Sequence, residues 1–439
     1  MKRTLALSLA LLVAMATVLY AGGTDEVASG DVTLTYLTWY TQGEEDELLN
    51  RFQDENPGIT VEVEAVDGER YGEILRLRMT AGDLPDVITA KQNFAEMLLS
   101  EGWLLDIKDE PAVDILDRAP AVRDALTYQG AVYSVPHEAA LGYSHVYYNK
   151  RIFRELGLPV PFAPQSMEEL ESALDTIAAA GVEPVLLGAK DHWVTGFFTL
   201  RYFESAMYGT LAQMNGGQVI EPNQAYYEGV AKPSDALRPA FETLKRWDDS
   251  GWISPNSLSM TWPESFSHFA AGNAAIFPQG FWVPGMDEAV NADPSVLDIG
   301  AFYMPQVSVD GSHYASGITD KMLMVNARSE NLDAAKVLLN WLGAEENLAS
   351  YLNSRKAGGF LLPVAGIEPQ PVFAEWDAYL KSLDPVTTLT VFPFVPGDEH
   401  TNYGAYSQAL LAGASVDEAL SDLDAFYVEH RGEIAVPER

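Results

Sequence analysis

Between residues 32 and 90, hydrophobic positions recur first at every second residue, as in a β-strand, and then at the spacing of a helix. This succession of a strand pattern and a helix pattern repeats along the segment. The run VTLTYLTWY (32–40) alternates like a strand and is followed by a stretch with helical spacing. A second strand is predicted in ITVEVEAV (59–66), a helix over 71–80, and a buried strand in AGDLPDVITA (81–90). Strand, helix, strand, helix, strand is the order of an α/β fold.

The succession of strand and helix patterns resumes beyond residue 130. AVYSVPHEAALGYSHVYYNK (131–150) has apolar runs on either side of His137–Glu138. Ser166 and Glu169 have the spacing of a capping box and predict the start of a helix, which is followed by a buried strand in VEPVLLG (182–188). Two α/β lobes built from interleaved chain segments are therefore predicted.

Three later stretches complete the predicted elements. FAAGNAAIFPQGFW (269–282) predicts a helix end, a short buried strand and then a glycine–aromatic step. SENLDAAKVLLNWLG (329–343) predicts a helix capped by Ser329, and SVDEALSDLDAFYVEH (415–430) predicts a last amphipathic helix. The chain shows no internal repeat.

The amino terminus has the pattern of a secretory signal peptide. Lys2 and Arg3 precede an apolar run that ends at Tyr20, and small residues follow it. We expect cleavage after Ala21, which makes 1–21 the signal peptide and 22–30 a flexible leader. The sequence contains no cysteine, so no lipid anchor at the amino terminus is expected. A periplasmic location follows from these two expectations.

The charge is strongly negative. The 27 Lys and Arg residues oppose 63 Asp and Glu, a net charge of −36, which becomes −38 when Lys2 and Arg3 are removed with the signal peptide. Binding to nucleic acid is disfavoured because phosphate contacts need clustered basic residues. A cationic ligand such as a polyamine stays open as an alternative.

Motifs of catalysis and of metal binding are absent from the sequence. It contains no nucleotide-binding fingerprint, no HExxH and no GxSxG, and its seven histidines never have helical metal-ligand spacing. We therefore predict no catalytic residue, no metal and no cofactor. Abundant carboxylates leave an exported glycoside hydrolase as a less favoured alternative.

Aromatic residues stand at the ends of the predicted segments. They are accompanied by polar residues, and ligands of open α/β sheets bind beyond the carboxyl ends of strands. We predict one polar-aromatic cleft formed by Trp39, Tyr40, Trp193, Trp262, Phe281 and Trp282 with Gln42, Glu138, Asp191, His192 and Gln279. Gly280 is expected to let the backbone turn so that Trp282 is presented to the cleft.

A sugar suits such a cleft. Its C–H face can lie flat on an aromatic ring, which contributes about 1 kcal/mol beyond area burial. Its hydroxyls need planar donors and acceptors, since an unpaired buried hydroxyl costs about 1–3 kcal/mol.

Five stretches occur in the order of a known family. They are RFQDENPGITVEVE, AGDLPDVI, VPHEAALGYSHVYYNKRIFRELGL, FAAGNAAIFPQGFW and SENLDAAKVLLNWL. The chain resembles the extracellular solute-binding proteins of ABC importers, in the sugar-binding branch that is similar to maltose-binding protein. The resemblance implies a periplasmic binding protein type II fold, with two lobes, each a mostly parallel sheet flanked by helices, joined by a hinge.

The resemblance also implies the lobe boundaries. The chain is expected to cross between lobes near His137–Ala140, near Ser316–Thr319 and once before the carboxyl-terminal helices. The predicted amino-terminal lobe comprises 31–137 and 320–383, and the carboxyl-terminal lobe comprises 138–319 and 384–439.

Particular site residues follow from the same resemblance. Glu138 matches a hinge-side glutamate that accepts sugar hydroxyls, and Trp282 matches a tryptophan that stacks on a sugar ring. Ala90 departs from the aromatic and charged residues of maltose-type members, which disfavours maltodextrins. The full set of expected ligand contacts is Trp39, Tyr40, Gln42, Lys91, Asn93, Glu138, Trp193, Trp262, Gln279, Gly280, Trp282, Gly317 and Tyr403.

The implied function is that of the substrate-binding component of a carbohydrate ABC transporter. Such a protein binds a mono- or oligosaccharide between its lobes and delivers it to the membrane permease subunits. No chemistry on the ligand is implied, and a monomer is expected.

Overall fold

A computed structural model describes the backbone of residues 31–39, 45–66, 68–90, 92–141, 145–305, 308–309, 311–356, 362–368, 371–384, 386–389 and 399–431. The predicted signal peptide and leader lie outside these ranges, as do Tyr40, Gln42 and Lys91. Of Asn93 and Glu138 the backbone alone is described. Across the described ranges, every helix is too short or too polar to span a bilayer.

The chain alternates between strands and helices. The strands are β1 (Val32–Thr38), β2 (Ile59–Ala65), β3 (Val87–Ala90), β4 (Thr127–Tyr128), β5 (Ala131–Val132), β6 (Val135–Leu141), β7 (His145–Asn149), β8 (Glu183–Val185), β9 (Ala274–Pro278), β10 (Ile299–Tyr303), β11 (Tyr314–Val325) and β12 (Val386–Leu389). The helices are α1 (Asp46–Glu55), α2 (Gly68–Ala81), α3 (Gln92–Ser100), α4 (Pro120–Ala125), α5 (Lys150–Glu155), α6 (Met167–Ala179), α7 (His192–Arg201), α8 (Glu204–Met214), α9 (Pro222–Tyr227), α10 (Pro233–Asp249), α11 (Trp262–Ala270), α12 (Asp287–Val290), α13 (Leu332–Gly343), α14 (Glu345–Arg355), α15 (Pro371–Ser382), α16 (Glu399–Leu411) and α17 (Val416–Glu429). Short 3-10 turns occur at Pro111–Arg118, Ser257–Ser259 and Val283–Gly285.

The first sheet has the strand order β12-β11-β3-β1-β2, and β6 pairs with β11. β1 runs parallel to both β2 and β3. Leu34, Tyr36 and Leu37 of β1 are buried in a first hydrophobic core that also takes residues from β3, β11 and α13. The α/β order predicted for the amino-terminal part of the chain is confirmed.

The second sheet has the strand order β10-β7-β9-β8. All five residues of β9 are buried, which confirms the short strand predicted within 269–282. The sheet differs from the mostly parallel one that was expected, because β7 runs antiparallel to both β9 and β10 and only β8 and β9 are parallel. Three residues separate β7 from β6 of the first sheet, too few for the crossover of about a dozen residues that joins parallel strands of one sheet, so β7 does not enter the second sheet as part of a βαβ unit.

Two separate hydrophobic cores define two lobes. We call the elements packed on the first core the first lobe and those packed on the second core the second lobe. The chain passes from one core to the other within 135–146, 315–322 and 364–372. β6 and β11 pair antiparallel across the first two of these passages.

One helix differs from the predicted lobe assignment. Residues 320–383 are predicted to lie in the amino-terminal lobe, but α15 packs on the second core through Val372, Phe373 and Trp376. The Trp376 ring stacks on the His145 ring at 3.8 Å between centroids, with 26° between the planes. The apolar face of α15 is therefore covered by β7 of the second lobe.

A second difference concerns a helix cap. α13 begins at Leu332 after Asn331, so Ser329 is not its cap. The Ser329 hydroxyl instead donates to the Asp86 carboxylate at 2.5 Å. The predicted cap at Ser166 is confirmed, since its hydroxyl accepts the backbone N–H of Glu169. Ser415 caps α17 in the same way, by accepting the backbone N–H of Glu418.

Candidate ligand-binding site

Three tryptophans from separate segments of the second lobe meet in one cluster, the tryptophan triad. Trp193 lies at the start of α7, Trp262 at the start of α11, and Trp282 just beyond β9. Ring centroids are 6.1 Å apart for Trp193–Trp262, 6.1 Å for Trp193–Trp282 and 6.2 Å for Trp262–Trp282. All three side chains are half-buried. The structure thus brings together three of the residues that the sequence predicted for one cleft.

The end of β9 determines where Trp282 lies. The Gln279 N–H donates to the His145 carbonyl at 3.2 Å and so extends the pairing with β7 by one residue. The Tyr147 hydroxyl donates to the Gly280 carbonyl at 3.0 Å. Phe281 is buried in the second core, and the 3-10 turn Val283–Gly285 follows. Trp282 is held between a fixed strand end and a fixed turn.

Gly280 is needed for a different reason from the one predicted. Its φ is outside the left-handed range, so the backbone turn itself does not require glycine. A Cβ built at this position would instead overlap the six-membered ring of Trp282. The absence of a side chain makes room for the indole.

The triad has a rigid aromatic support. Trp262 stacks on Phe277 of β9 at 6.1 Å with 12° between planes, and Phe197 of α7 lies 5.8 Å from Trp282. The backbone N–H of Trp262 donates to the Asp191 carboxylate at 2.7 Å, which joins the start of α11 to the residue before α7. These contacts set the orientation of the indoles.

Gln279 adds a buried amide to the strand end that carries Trp282. Its side chain is 0% exposed, and within the described part of the chain neither the amide oxygen nor the amide nitrogen has a hydrogen-bond partner. A buried polar group without a partner costs about 1–3 kcal/mol. Gln279 therefore has one acceptor and two donors that pair with none of the described residues.

Tyr403 does not line this site. It is 2% exposed, its ring stacks on Tyr427 at 6.0 Å with 13° between planes, and the two hydroxyls are hydrogen-bonded to each other. The neighbouring Gly404 packs so closely on α7 that a Cβ there would overlap the His192 carbonyl. Tyr403 is therefore buried between packed helices. This burial does not support the expected contact with ligand.

The first lobe contributes a polar cluster that the sequence analysis did not single out. Glu45 lies just before α1, at the carboxyl end of β1, and is 6% exposed. Its Oε1 is 3.7 Å from Nδ1 of the fully buried His137. Burial raises the pKa of the neighbouring Tyr36, and the Glu45 charge raises it further. Glu45 belongs to no periodic pattern in the sequence. The one feature that could have indicated it as a site residue is its position after the end of a strand.

The remaining predicted residues occupy the first lobe or the crossing strands. Trp39 follows the last residue of β1, is half-buried, and lies edge-on to Tyr71 at 5.2 Å and 74°. Gly317 lies in β11 opposite Leu141 and Leu389. Glu138 lies in β6 opposite Asp320. Among the described residues no group of three or more His, Asp or Glu side chains could hold a metal ion.

Two α/β lobes, linked by three chain passages and carrying aromatic and polar residues at strand ends, define the class of two-lobed solute-binding proteins. The sequence profile described as bacterial extracellular solute-binding protein matches residues 39–349. The chain belongs to this family.

Relatives and solved structures agree with this assignment. The chain is 24% identical over 312 residues to the multiple sugar-binding protein of Streptococcus mutans, covering 69% of each. It is 27% identical over 304 residues to the mannitol-binding protein of Pseudomonas aeruginosa, covering 67% of this chain and 64% of that one. The solved structure of the solute-binding protein RafE in complex with raffinose has the same fold, with a TM-score of 0.71, 21% identity, and 92% of this chain and 100% of that chain covered.

Proposed function

We propose that the protein binds a carbohydrate or a related polyol between its lobes and delivers it to the permease subunits of an ABC importer. The tryptophan triad is the observation that carries the proposal. Relatives that are named for sugars and for mannitol, and a structural relative with bound raffinose, support it.

The triad offers apolar surface of the kind that a sugar ring covers. A C–H face laid on one indole gains area burial and about 1 kcal/mol of aromatic contact. The three planes are inclined to one another by 57–82°, so a flat chain of sugar rings cannot stack on all three at once. One sugar unit stacked on one indole and bordered by the other two is the arrangement we propose.

Hydroxyl recognition is assigned to polar groups of both lobes. In the second lobe the Gln279 amide needs partners. In the first lobe the Glu45 carboxylate lies at the carboxyl end of β1, where open α/β sheets bind ligands. Glu138, in the crossing strand β6, is proposed as a further acceptor. Contacts from both lobes favour the closed arrangement.

Transport, not chemistry, is the proposed role. The predicted signal peptide (1–21) and the absence of cysteine support a periplasmic protein without a lipid anchor. Oligosaccharides incubated with the protein should be recovered unchanged. Hydrolysis that is lost in Glu138→Gln would instead favour the glycoside hydrolase.

Calorimetry on the mature chain tests the proposal. The panel contains monosaccharides, short oligosaccharides and sugar alcohols, with amino acids and polyamines for comparison. We expect one panel sugar or polyol to bind with micromolar affinity, about 8 kcal/mol. Absence of binding by every sugar and polyol, with tight binding of another solute, would contradict the proposed ligand.

A cationic ligand is the second candidate, since inclined indole rings also attract cations and the mature charge is −38. The salt dependence of binding distinguishes a cationic ligand from a sugar. Raising the ionic strength from about 0.01 M to 1 M shortens the Debye length from about 30 Å to 3 Å. Polyamine binding should weaken steeply over this range, and sugar binding should hardly change.

A further inference from the structure

The two lobes touch directly beside Trp282. The 3-10 turn Val283–Gly285 belongs to the second lobe, where Val283 is buried in the core. α14 belongs to the first lobe through Leu348 and Leu352. A Cβ built at Gly285 would overlap the carbonyl oxygen of Arg355, the last residue of α14. The turn and the helix end are therefore in backbone contact across the lobes.

This contact is linked to Trp282 through the backbone. The Gly285 N–H donates to the Trp282 carbonyl at 3.1 Å, and the Val283 N–H donates to the Gly280 carbonyl at 3.3 Å. The turn is thus a small hydrogen-bonded unit with Trp282 inside it. Any displacement of Gly285 relative to α14 is transmitted to the backbone that carries the indole.

The same helix contacts both crossing strands. Tyr351, one helical turn before Arg355, accepts a hydrogen bond from Lys321 Nζ at 3.3 Å through its hydroxyl. Its ring centroid is 5.0 Å from that of His137. Lys321 lies in β11 and His137 in β6. α14 therefore lies between the crossing strands and the Trp282 turn.

We propose that Gly285 is a positioning residue for lobe closure. Because it has no side chain, the Trp282 turn can seat on the carboxyl end of α14, and the seated turn fixes Trp282 while the lobes are together. This inference rests on the proposed function, since it concerns the closed arrangement that holds the sugar. The φ of Gly285 is not in the left-handed range, so alanine is compatible with the turn itself.

Gly285→Ala and Gly343→Ala form a matched pair. Gly343 is also crowded, since an added Cβ would lie 2.7 Å from the Ala112 Cβ. Gly343 and Ala112 both belong to the first lobe, so this contact does not cross between the lobes. Small-angle scattering with and without the tightest panel sugar, calorimetry and thermal unfolding are measured on wild type and both variants. We expect Gly285→Ala to have a larger radius of gyration than wild type, sugar affinity weakened at least about tenfold, and an unchanged Tm. Gly343→Ala should lower the Tm and leave the compactness and affinity unchanged.

The outcomes separate this inference from the proposed function. A Gly285→Ala protein as compact as wild type and with the same sugar affinity would overturn the inference while sugar binding stands. A lower Tm with unchanged compactness would equally overturn it, because the residue would then be merely structural. Absence of sugar binding by the wild type would overturn the proposed function, and the ligand-free scattering comparison would still decide whether Gly285 controls the lobe contact.

Discussion

The indole of Trp193 lies 6.1 Å from the indole of Trp282, with 57° between the two planes. One ring comes from the start of a helix and the other from the residues beyond a buried strand. Their contact exists because α7 packs against the segment that follows β9, where Phe197 also lies 5.8 Å from Trp282. The aromatic surface is therefore a product of the tertiary fold of one lobe.

Trp282→Ala should weaken sugar binding about 10- to 100-fold, because it removes one stacking face and loosens the two other indoles. Calorimetry measures the change. Trp341→Ala is the control, since Trp341 donates to the Glu55 carboxylate at 2.7 Å and lies edge-on to Phe52 at 5.5 Å in the first lobe. It should lower the Tm and keep the affinity. Loss of binding in folded Trp341→Ala would show that the site has been misplaced.

Gly280→Ala should move the Trp282 ring without unfolding the lobe, because the added Cβ meets the ring and not backbone atoms. We expect several-fold weaker sugar binding and a changed near-ultraviolet dichroism of tryptophan. Gly209→Ala, in which the Cβ would overlap Ser308 within the same lobe, should cost stability alone. Equal affinities of wild type and Gly280→Ala would contradict the close fit described here.

Glu45→Gln keeps the size of the side chain and removes its charge. A hydrogen bond to a charged group is worth about 1.5–3 kcal/mol, so we expect at least about tenfold weaker sugar binding. Glu55→Gln, at an exposed position, should bind normally. If Glu45→Gln bound sugar as tightly as wild type, the first-lobe contact would have to be sought elsewhere.

Alkaline pH should destabilise the second lobe. Burial raises the pKa of the Tyr147 and Tyr202 hydroxyls above the usual value of about 10. Because both folded pKa values are raised, the stabilisation is complete below about pH 10 and is lost as the pH rises further. Their hydroxyls donate to the carbonyls of Gly280 and His145, so ionisation also breaks contacts beside the triad. The last tyrosines to ionise should do so together with the loss of far-ultraviolet dichroism, at a pH above about 10; complete ionisation of the tyrosines with intact dichroism would contradict this.

Local pattern was enough to predict β1, α1 and the helix–strand step at 269–282, because each follows from periodicity over a few residues. It was also enough to note Trp193, Trp262 and Trp282 at segment ends. Their mutual distances depend on β9 lying between β7 and β8, and periodicity carries no information on strand order.

The errors have the same origin. The apolar run of β7 does not encode its direction, which is antiparallel to both neighbours. Tyr403 has the spacing of a buried helical position as well as that of a cleft residue, and only its pairing with Tyr427 decides between them. Glu45 belongs to an acidic run with no distinguishing pattern, so its burial beside His137 could not be predicted from the sequence.

A crystal structure of the mature chain with the tightest-binding sugar of the panel tests the central claim most directly. We expect one sugar ring whose C–H face lies about 4 Å from an indole of the tryptophan triad, with a hydroxyl hydrogen-bonded to Gln279 and both lobes in contact. A sugar bound away from all three indoles, between lobes that do not close on it, would contradict the proposed site.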